Sequence, residues 1–329
     1  MRIARDVAET VGFSPSALTI GNFDGVHIGH QHLLCTTCDS AKRMGASPTV
    51  LTFDPHPSRI VAPERTPRLL TTIDERYAWM AAEGIEQVLV LPFTMEIARL
   101  TPEEFVRDIL VNALRAKIVL VGENFRFGHK QSGDTGVLAA LGKHFGFDVC
   151  LAESVTCRGQ VVSSSAVRKF VDAGEAGMAW RFLGRPYSIT GDVIHGRGVG
   201  SKQTVPTLNL KTSAEVLPRN GVYVTRTREI GGVFTTEPRK TERRQWHSIS
   251  NIGYRPTFEG AEDSPQKLSI ETFLLDPLVG DAPQSIVLEF LHRVRDERKF
   301  ESPEALKAQI MRDVKQANSF FRLVGPKET

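Results

Sequence analysis

His27 and His30 stand three positions apart in Thr19-Ile20-Gly21-Asn22-Phe23-Asp24-Gly25-Val26-His27-Ile28-Gly29-His30. The apolar run 17–20 precedes them, and the helix-like run Gln31-His32-Leu33-Leu34 follows at once. A strand that breaks into a glycine-containing turn and a helix start is how an open parallel α/β sheet presents a phosphate site. The helix N-terminus supplies free N–H donors and the positive end of the macrodipole, outside the carboxyl ends of the strands. Two imidazoles one helical turn apart can both address one phosphate. Gly25 and Gly29 let the backbone come close to it with no Cβ in the way. The competing reading is a solvated loop with two chance histidines.

Further clusters sit where similar chemistry would need them. Asp54-Pro55-His56-Pro57 closes the apolar run 47–53, and its prolines force an extended exit from the sheet. Gly122-Glu123-Asn124-Phe125-Arg126-Phe127-Gly128 follows the apolar run 117–121. A flat ring can stack on an aromatic there while Asn124, Arg126 and backbone amides take polar atoms. In Val162-Ser163-Ser164-Ser165-Ala166-Val167-Arg168, serines cap a helix and Arg168 sits one turn in. That geometry suits a pyrophosphate or triphosphate, or is an ordinary cap with a surface arginine. Gly196, Gly198 and Gly200 alternate in His195-Gly196-Arg197-Gly198-Val199-Gly200-Ser201-Lys202. Such a backbone forms either an anion nest or a tight charged hairpin, and it lacks the Walker A spacing.

The run Gly21-x-Phe23-Asp24-Gly25-x-His27-x-Gly29-His30 resembles the nucleotidylyltransferase signature of the bifunctional bacterial riboflavin kinase/FAD synthetases. The resemblance continues over nearly the whole chain. It implies an N-terminal FMN adenylyltransferase of parallel-sheet, Rossmann-like α/β fold, with His27, His30 and Arg168 as catalytic groups. Gly21, Phe23, Asp24, Gly25, Gly29, Asp54, Asn124, Arg126, Phe127, Ser163, Ser164 and Ser165 are then expected around nucleotide and flavin. Where the family has Ile-Ser-Ser-Thr-x-Ile-Arg, this chain keeps the hydroxyl with Ser165.

Val205-Pro206-Thr207-Leu208-Asn209 resembles the family's Phe-Pro-Thr-Ala-Asn, which implies that Thr207 and Asn209 hold Mg²⁺ and ATP phosphate. Asn251-Ile252-Gly253-Tyr254-Arg255-Pro256-Thr257-Phe258 matches Asn-x-Gly-x-x-Pro-Thr-Phe. Asn251 and Gly253 therefore join Gly196, Gly198, Gly200 and Lys202 as expected binding residues. Glu271 lies in an apolar strand, by pattern alone a solvent-facing residue; the resemblance makes it the general base of a riboflavin kinase. Arg295 belongs to the expected closing loop. The implied substrates and products are ATP, riboflavin, FMN and FAD, with Mg²⁺ as cofactor and delivery to apo-flavoproteins as an added expectation.

Two frames must position these groups. Predicted strands at 17–20, 47–53, 86–91, 117–121 and 147–151 alternate with helices at 71–82 and from Thr101-Pro102-Glu103-Glu104 onward. That order predicts a parallel sheet covered on both faces. A short helix at 175–183 ends at Gly184-Arg185-Pro186. Beyond it, strands at 187–194, 222–227, 246–249, 267–275 and 286–293 are spaced as a small antiparallel barrel, with a helix from 302 to about 320 closing the chain. The expected domains are 1–184, the adenylyltransferase, and 185–329, the kinase barrel.

Global properties agree with two soluble domains. A chain of 329 residues exceeds what one core usually supports, and 41% hydrophobic with 24% charged residues is ordinary for a globular protein. A net charge of +3 is too small to argue for a nucleic-acid partner. No apolar run approaches the roughly 20 residues of a membrane span, and Met1-Arg2-Ile3-Ala4-Arg5-Asp6 lacks a leader's apolar core. The expected location is cytoplasmic. Cys35-x-x-Cys38 falls inside the first predicted helix and reads as packing rather than metal chemistry.

The chain departs from the family's Gly-Arg-x-Leu-Gly-Phe-Pro-Thr-Ala-Asn at Ser201, Thr204 and Leu208. Lys202 is the preferred replacement for the missing arginine, with Arg197 as the other candidate, and Leu208 is expected to clear the metal face only if the backbone bulges. The basic run 235–245 reads as a solvated hairpin extension. An FAD synthetase with a decayed kinase half, or a flavin sensor without activity, is the alternative.

Overall fold

The computed structural model describes residues 1–194, 207–230, 244–255 and 267–324. The chain divides into two compact units, Met1–Ser164 and Ser165–Thr329.

In the first unit, β1 (Arg2–Ala4), β2 (Ser16–Ile20), β3 (Ser47–Phe53), β4 (Gln87–Leu91), β5 (Ala116–Gly122) and β6 (Asp148–Ala152) form one sheet. Its order is β1-β4-β3-β2-β5-β6 and every pairing is parallel. The connections carry α1 (Ile28–Met44), α2 (Ser58–Val61), α3 (Ile73–Ala82), α4 (Met95–Arg99), α5 (Pro102–Phe105) and α6 (Thr135–Phe145). α5 continues as a π-helical stretch, Val106–Ala113. A small hairpin, β7 (Thr156–Cys157) with β8 (Gln160–Val161), follows the sheet.

The strands are apolar on both faces because both faces are covered. Leu51 and Leu89 pack with Phe105, Ile109 and Leu110, while Val50 and Val88 pack with Leu34, Tyr77 and Met80. Each such fully buried side chain contributes about 1.5–3 kcal/mol. Helix limits follow local chemistry. Thr72 and Thr101 close capping boxes with Glu75 and Glu104, and α1 ends at Gly45 in the left-handed region, with Lys42 and Arg43 in its last turn. The chain runs from β2 out to β3 and β4, then returns to β5 on the other side of β2. That reversal puts a crevice beyond the carboxyl ends of β2 and β5.

Helix α7 (Ser164–Ala173) begins where the first unit ends, and α8 (Ala176–Leu183) follows. β9 (Tyr187–Ile194), β10 (Thr207–Lys211), β11 (Gly221–Glu229), β12 (Gln245–Arg255), β13 (Lys267–Leu274) and β14 (Ser285–Arg295) then close a barrel in the order β10-β13-β12-β11-β14-β9. All its pairings are antiparallel. Alternation sends Leu208, Ile252, Ile270, Leu274, Leu288 and Phe290 to the interior, where all are buried. A hydroxyl network shares that interior: Thr225 bonds Ser248 and Ser250, each at 2.8 Å, and Ser250 bonds Thr272 at 2.9 Å. The outer face carries Val222, Val224, Ile249 and Leu291 under helix α9 (Pro303–Val324), which buries Ala317 against them.

The parallel α/β unit followed by an antiparallel barrel with a C-terminal helix is the architecture the sequence predicts. The contact division falls at Ser164, ahead of 185: α8 packs on β9 and β14, and the chain around the end of α7 is tied to the same unit. Arg219 donates its N–H to the Val171 carbonyl at 3.3 Å, and a Cβ on Gly174 would meet Arg293 Nε at 2.7 Å. β1 and β10 are absent from the predicted set. β1 is only Arg2–Ala4, too short to show alternation, and β10 abuts the glycine-rich run that reads as a turn.

Candidate active sites

The turn 21–25 leaves β2 at the topological reversal. Phe23 (φ 51°), Gly25 (φ 79°) and Val26 (φ 36°) all take left-handed backbone. Glycine does so freely, whereas strain of this kind costs on the order of 1–3 kcal/mol at each other residue. Burial holds it: Phe23 and Val26 are 1% and 0% exposed. Next in the chain, His27 caps α1, its Nδ1 accepting the His30 N–H at 3.2 Å. With Nδ1 used as acceptor, the neutral ring carries its proton on Nε2 and presents a donor there. The two imidazoles stack with centroids 3.6 Å apart and planes at 14°. A Cβ on Gly29 would touch His27 Nδ1 and Cε1 at 3.2 Å, so Gly29 makes room for that ring.

Asp24 turns inward and is 2% exposed. Its carboxylate accepts the Leu70 N–H at 2.9 Å, the Thr71 N–H at 3.2 Å and the Thr71 hydroxyl at 3.3 Å. The Gly25 N–H donates to Thr71 Oγ1 at 3.0 Å. Asn22 Nδ2 lies 3.0 Å from His56 Nε2, which links the β2 turn to the exit from β3, where Asp54 is exposed. Ser164 Oγ donates to the Asp24 carbonyl at 2.8 Å. Ser163 is half-buried just before α7, and within α7 Arg168 Nη1 donates to Ser165 Oγ at 3.4 Å.

On the loop after β5, Asn124 and Arg126 are exposed, and Arg126 lies 3.7 Å from Asp134. The structure places Phe127, expected around nucleotide and flavin, in the core. It is 6% exposed and packs between Phe105 and Phe125, with centroids at 5.8 and 5.5 Å. It anchors the loop in the core, which leaves Phe125 as the half-buried ring.

In the second unit Asn209 is the direct partner of Glu271 across β10 and β13, and Glu271 is the direct partner of Asn251 across β13 and β12. Opposed residues share a face, so three oxygen-bearing side chains stand in a row on the outer face of the barrel. Ser269 Oγ donates to Glu271 Oε1 at 3.2 Å. Thr207 shares that face two residues before Asn209. Leu208 lies between them, 4% exposed, opposite Thr272 on the interior. The pairing runs from Thr207 to Leu210 without a register shift, so no bulge is present and none is needed. A regular strand already points the middle residue away.

Gly253 pairs with Ser269, and a Cβ on it would run into the Glu297 carboxylate. Arg295 is engaged by α9: its Nη2 lies 2.7 Å from Asp313 Oδ2, and its guanidinium sits 5.7 Å from the Phe300 centroid. Gly196, Gly198, Gly200, Ser201, Lys202 and Thr204, with the basic run as far as residue 243, lie outside the described residues. Among the described residues no cluster of three or more His, Cys, Asp or Glu side chains is arranged to hold a metal, and no helix is long and apolar enough to cross a membrane.

Arg76 escaped the sequence reading. It is 3% exposed on α3, and its Nη1 donates to the Asn22 carbonyl at 3.0 Å. Burial pulls its pKa below the ordinary arginine value, against the raising influence of Asp24 and Asp54. The available signal was its place four residues before Met80, on the buried face of the helix.

Residues 12–166 match the FAD synthetase family model and residues 183–321 match the riboflavin kinase model. Over 309 residues the chain is 34% identical to the bifunctional riboflavin kinase/FMN adenylyltransferase of Escherichia coli (strain K12), covering 94% of both chains. The chain belongs to the bifunctional riboflavin kinase/FMN adenylyltransferase family. The Pseudomonas fluorescens member is 35% identical over 302 residues, covering 92% of this chain and 91% of its own. A crystal structure described as a macrolide-efflux protein from Streptococcus pneumoniae shares the fold with a TM-score of 0.78 at 26% identity, over 92% of this chain and 94% of its own. The His27–His30 turn falls in the stretch that matches the FAD synthetase model, and the Asn209–Glu271–Asn251 row in the stretch that matches the riboflavin kinase model.

Proposed function

We propose that the barrel phosphorylates riboflavin with ATP and that the α/β unit adenylylates the resulting FMN to FAD, releasing pyrophosphate. One observation carries the reading: each matched stretch holds its own polar site, built from groups suited to that half-reaction.

In the kinase reaction Glu271 takes the proton of the attacking ribityl hydroxyl, and Asn251 beside it orients that hydroxyl. Thr207 and Asn209 fit Mg²⁺, which takes few protein oxygens and draws the remainder from phosphate and water. When bound, the ion neutralises phosphate charge. Catalysis of this kind is chiefly positioning and electrostatics. In the adenylyl transfer the FMN phosphate is already ionised at neutral pH and needs no strong base. It attacks the α-phosphorus of ATP while the Nε2 donor of His27, the His30 ring and the N-terminus of α1 stabilise the crowded phosphorus.

The cytoplasm is the proposed location, and apo-flavoproteins are the proposed recipients of product. Incubation with riboflavin, ATP and Mg²⁺, followed by chromatography of the flavins, tests the whole reading. FMN and FAD are expected in succession. FAD from supplied FMN without any FMN from riboflavin would mean a decayed kinase half, and neither product would leave a flavin-binding protein.

A further inference from the structure

Besides His56 on the Asn22 amide and Ser164 on the Asp24 carbonyl, the motif turn is held from one short stretch of chain, residues 70–76. Leu70 and Thr71 bind the Asp24 carboxylate, Thr71 Oγ1 accepts the Gly25 N–H, and Arg76 Nη1 holds the Asn22 carbonyl. Thr72, between them, fixes the start of α3 through its capping box with Glu75. The clamped residues flank Phe23 and lead into Val26, the turn's two non-glycine residues in left-handed backbone. Directly after them His27 caps α1.

Thr71 and Arg76 contribute differently. The Asp24 tie is a carboxylate accepting backbone N–H groups, a common means of fixing a turn. Arg76 is a cation placed in the interior at 3% exposure, and its Nε has no hydrogen-bond partner among the described residues. A buried cation with an unsatisfied donor lowers stability relative to an apolar residue of similar size. Asp24 and Asp54 favour its charge, and among the described residues its hydrogen bond reaches the peptide next to the motif turn.

We infer that Arg76 is a positioning residue for adenylyl transfer, pinning the Asn22 carbonyl so that the turn delivers His27 and His30 to the phosphorus. This rests on the adenylyltransferase reading above. Its partner in that task is Asn22, whose side chain meets His56 at 3.0 Å. Asn22 is thus fixed from α3 through its carbonyl and from the β3 exit through its amide.

The test compares Arg76→Met and Arg76→Lys in the full-length protein, measuring kcat and KM for FMN and for ATP in FAD formation. Methionine keeps the buried volume without a donor; lysine restores a single cationic donor, which is all the Asn22 contact requires. The expected result is a fall in kcat of about 10–100-fold for Arg76→Met, since small misplacements near the chemistry have effects of that size. KM should stay within a few-fold, and Arg76→Lys should recover most of kcat. Riboflavin phosphorylation should be unchanged, and thermal unfolding should report both variants folded. Wild-type kcat in Arg76→Met overturns the inference, as does a lysine variant no better than methionine. If Arg76→Met does not fold, Arg76→Lys alone decides: a folded lysine variant with the full kcat loss also overturns it. A wild-type protein that makes no FAD from FMN would instead remove the underlying functional reading.

Discussion

Glu271 stands directly opposite Asn209, the two being register partners on β13 and β10. A carboxylate and an amide so opposed have Cβ atoms about 4.5–5.5 Å apart, close enough to serve one transferred group from two sides. The pairing is regular and the neighbouring β12 adds Asn251 in the same row. The row is therefore set by the register of the sheet rather than by loop conformation.

Replacing Glu271 with glutamine keeps the shape of that row and removes the proposed base. FMN formation from riboflavin should fall by about 10²–10⁴-fold, while FAD formation from supplied FMN continues at the wild-type rate. Steady-state assays of the two half-reactions check this. More than a tenth of the kinase rate surviving would take Glu271 out of the proton transfer.

His30→Ala removes one member of the stacked imidazole pair, whose centroids lie 3.6 Å apart. FAD synthesis should be abolished, with riboflavin phosphorylation within a few-fold of wild type. Gly29→Ala is the subtler probe. Its methyl would meet the His27 ring at 3.2 Å, and that ring is already fixed by stacking and by the His30 N–H. Adenylylation should drop by about 10-fold or more, since a small displacement of reacting groups carries such a penalty. Unchanged FAD synthesis in Gly29→Ala would show that the His27 ring has room to shift.

Cys35 and Cys38 share a helix but not an environment. Cys35 is exposed, whereas Cys38 is half-buried and donates to the Glu83 carbonyl at 3.4 Å. Burial foremost, then the proximity of Cys35, pushes the Cys38 thiol up to about 11. Because the thiolate is the nucleophile, iodoacetamide at pH 8 should alkylate Cys35 well before Cys38 in the native protein. Mass spectrometry of a time course reads the order directly. Equal rates would mean that Cys38 is reachable and ionised, contrary to its packing.

The layered fold was legible because its signals are local. Apolar runs at 47–53 and 187–194 coincide with β3 and β9, and the Thr101-Pro102-Glu103-Glu104 start coincides with the cap of α5. Of the candidate site residues, His27 was legible from its place at a strand-to-helix turn beside His30, whereas Glu271 and Asn251 were legible only through resemblance, since one strand glutamate carries little signal alone. Three features were hidden for physical reasons. Arg76 looks like any helix-surface arginine until the sheet buries it. Phe127 looks like an accessible ring until Phe105 closes over it. The facing of Leu208 depends on whether β10 is regular, and its pairing with β13 settles that.

The final prediction concerns acid stability and the ion pair that links β11 to the start of β12. Arg244 grips Glu229 with two parallel contacts, Nη2 to Oε1 at 2.7 Å and Nε to Oε2 at 2.8 Å. The same guanidinium donates to the Val279 and Asp281 carbonyls and lies over Trp246, 5.3 Å from its centroid. The hydrogen bonds from Arg244 hold the Glu229 carboxyl below its ordinary value near 4.5. A carboxyl depressed in the folded state binds its proton more weakly than in the unfolded chain. Its stabilisation is then complete above that ordinary value and is lost as pH falls through the folded one. Glu229→Gln keeps the side-chain shape and removes the titration. Its Tm should lie below wild type at pH 7, and the gap should narrow steadily as pH drops below about 4.5. Differential scanning calorimetry between pH 7 and pH 3 measures the gap. A gap that is constant across this range would mean that the carboxylate charge of Glu229 adds nothing to the clamp beyond its hydrogen bonds.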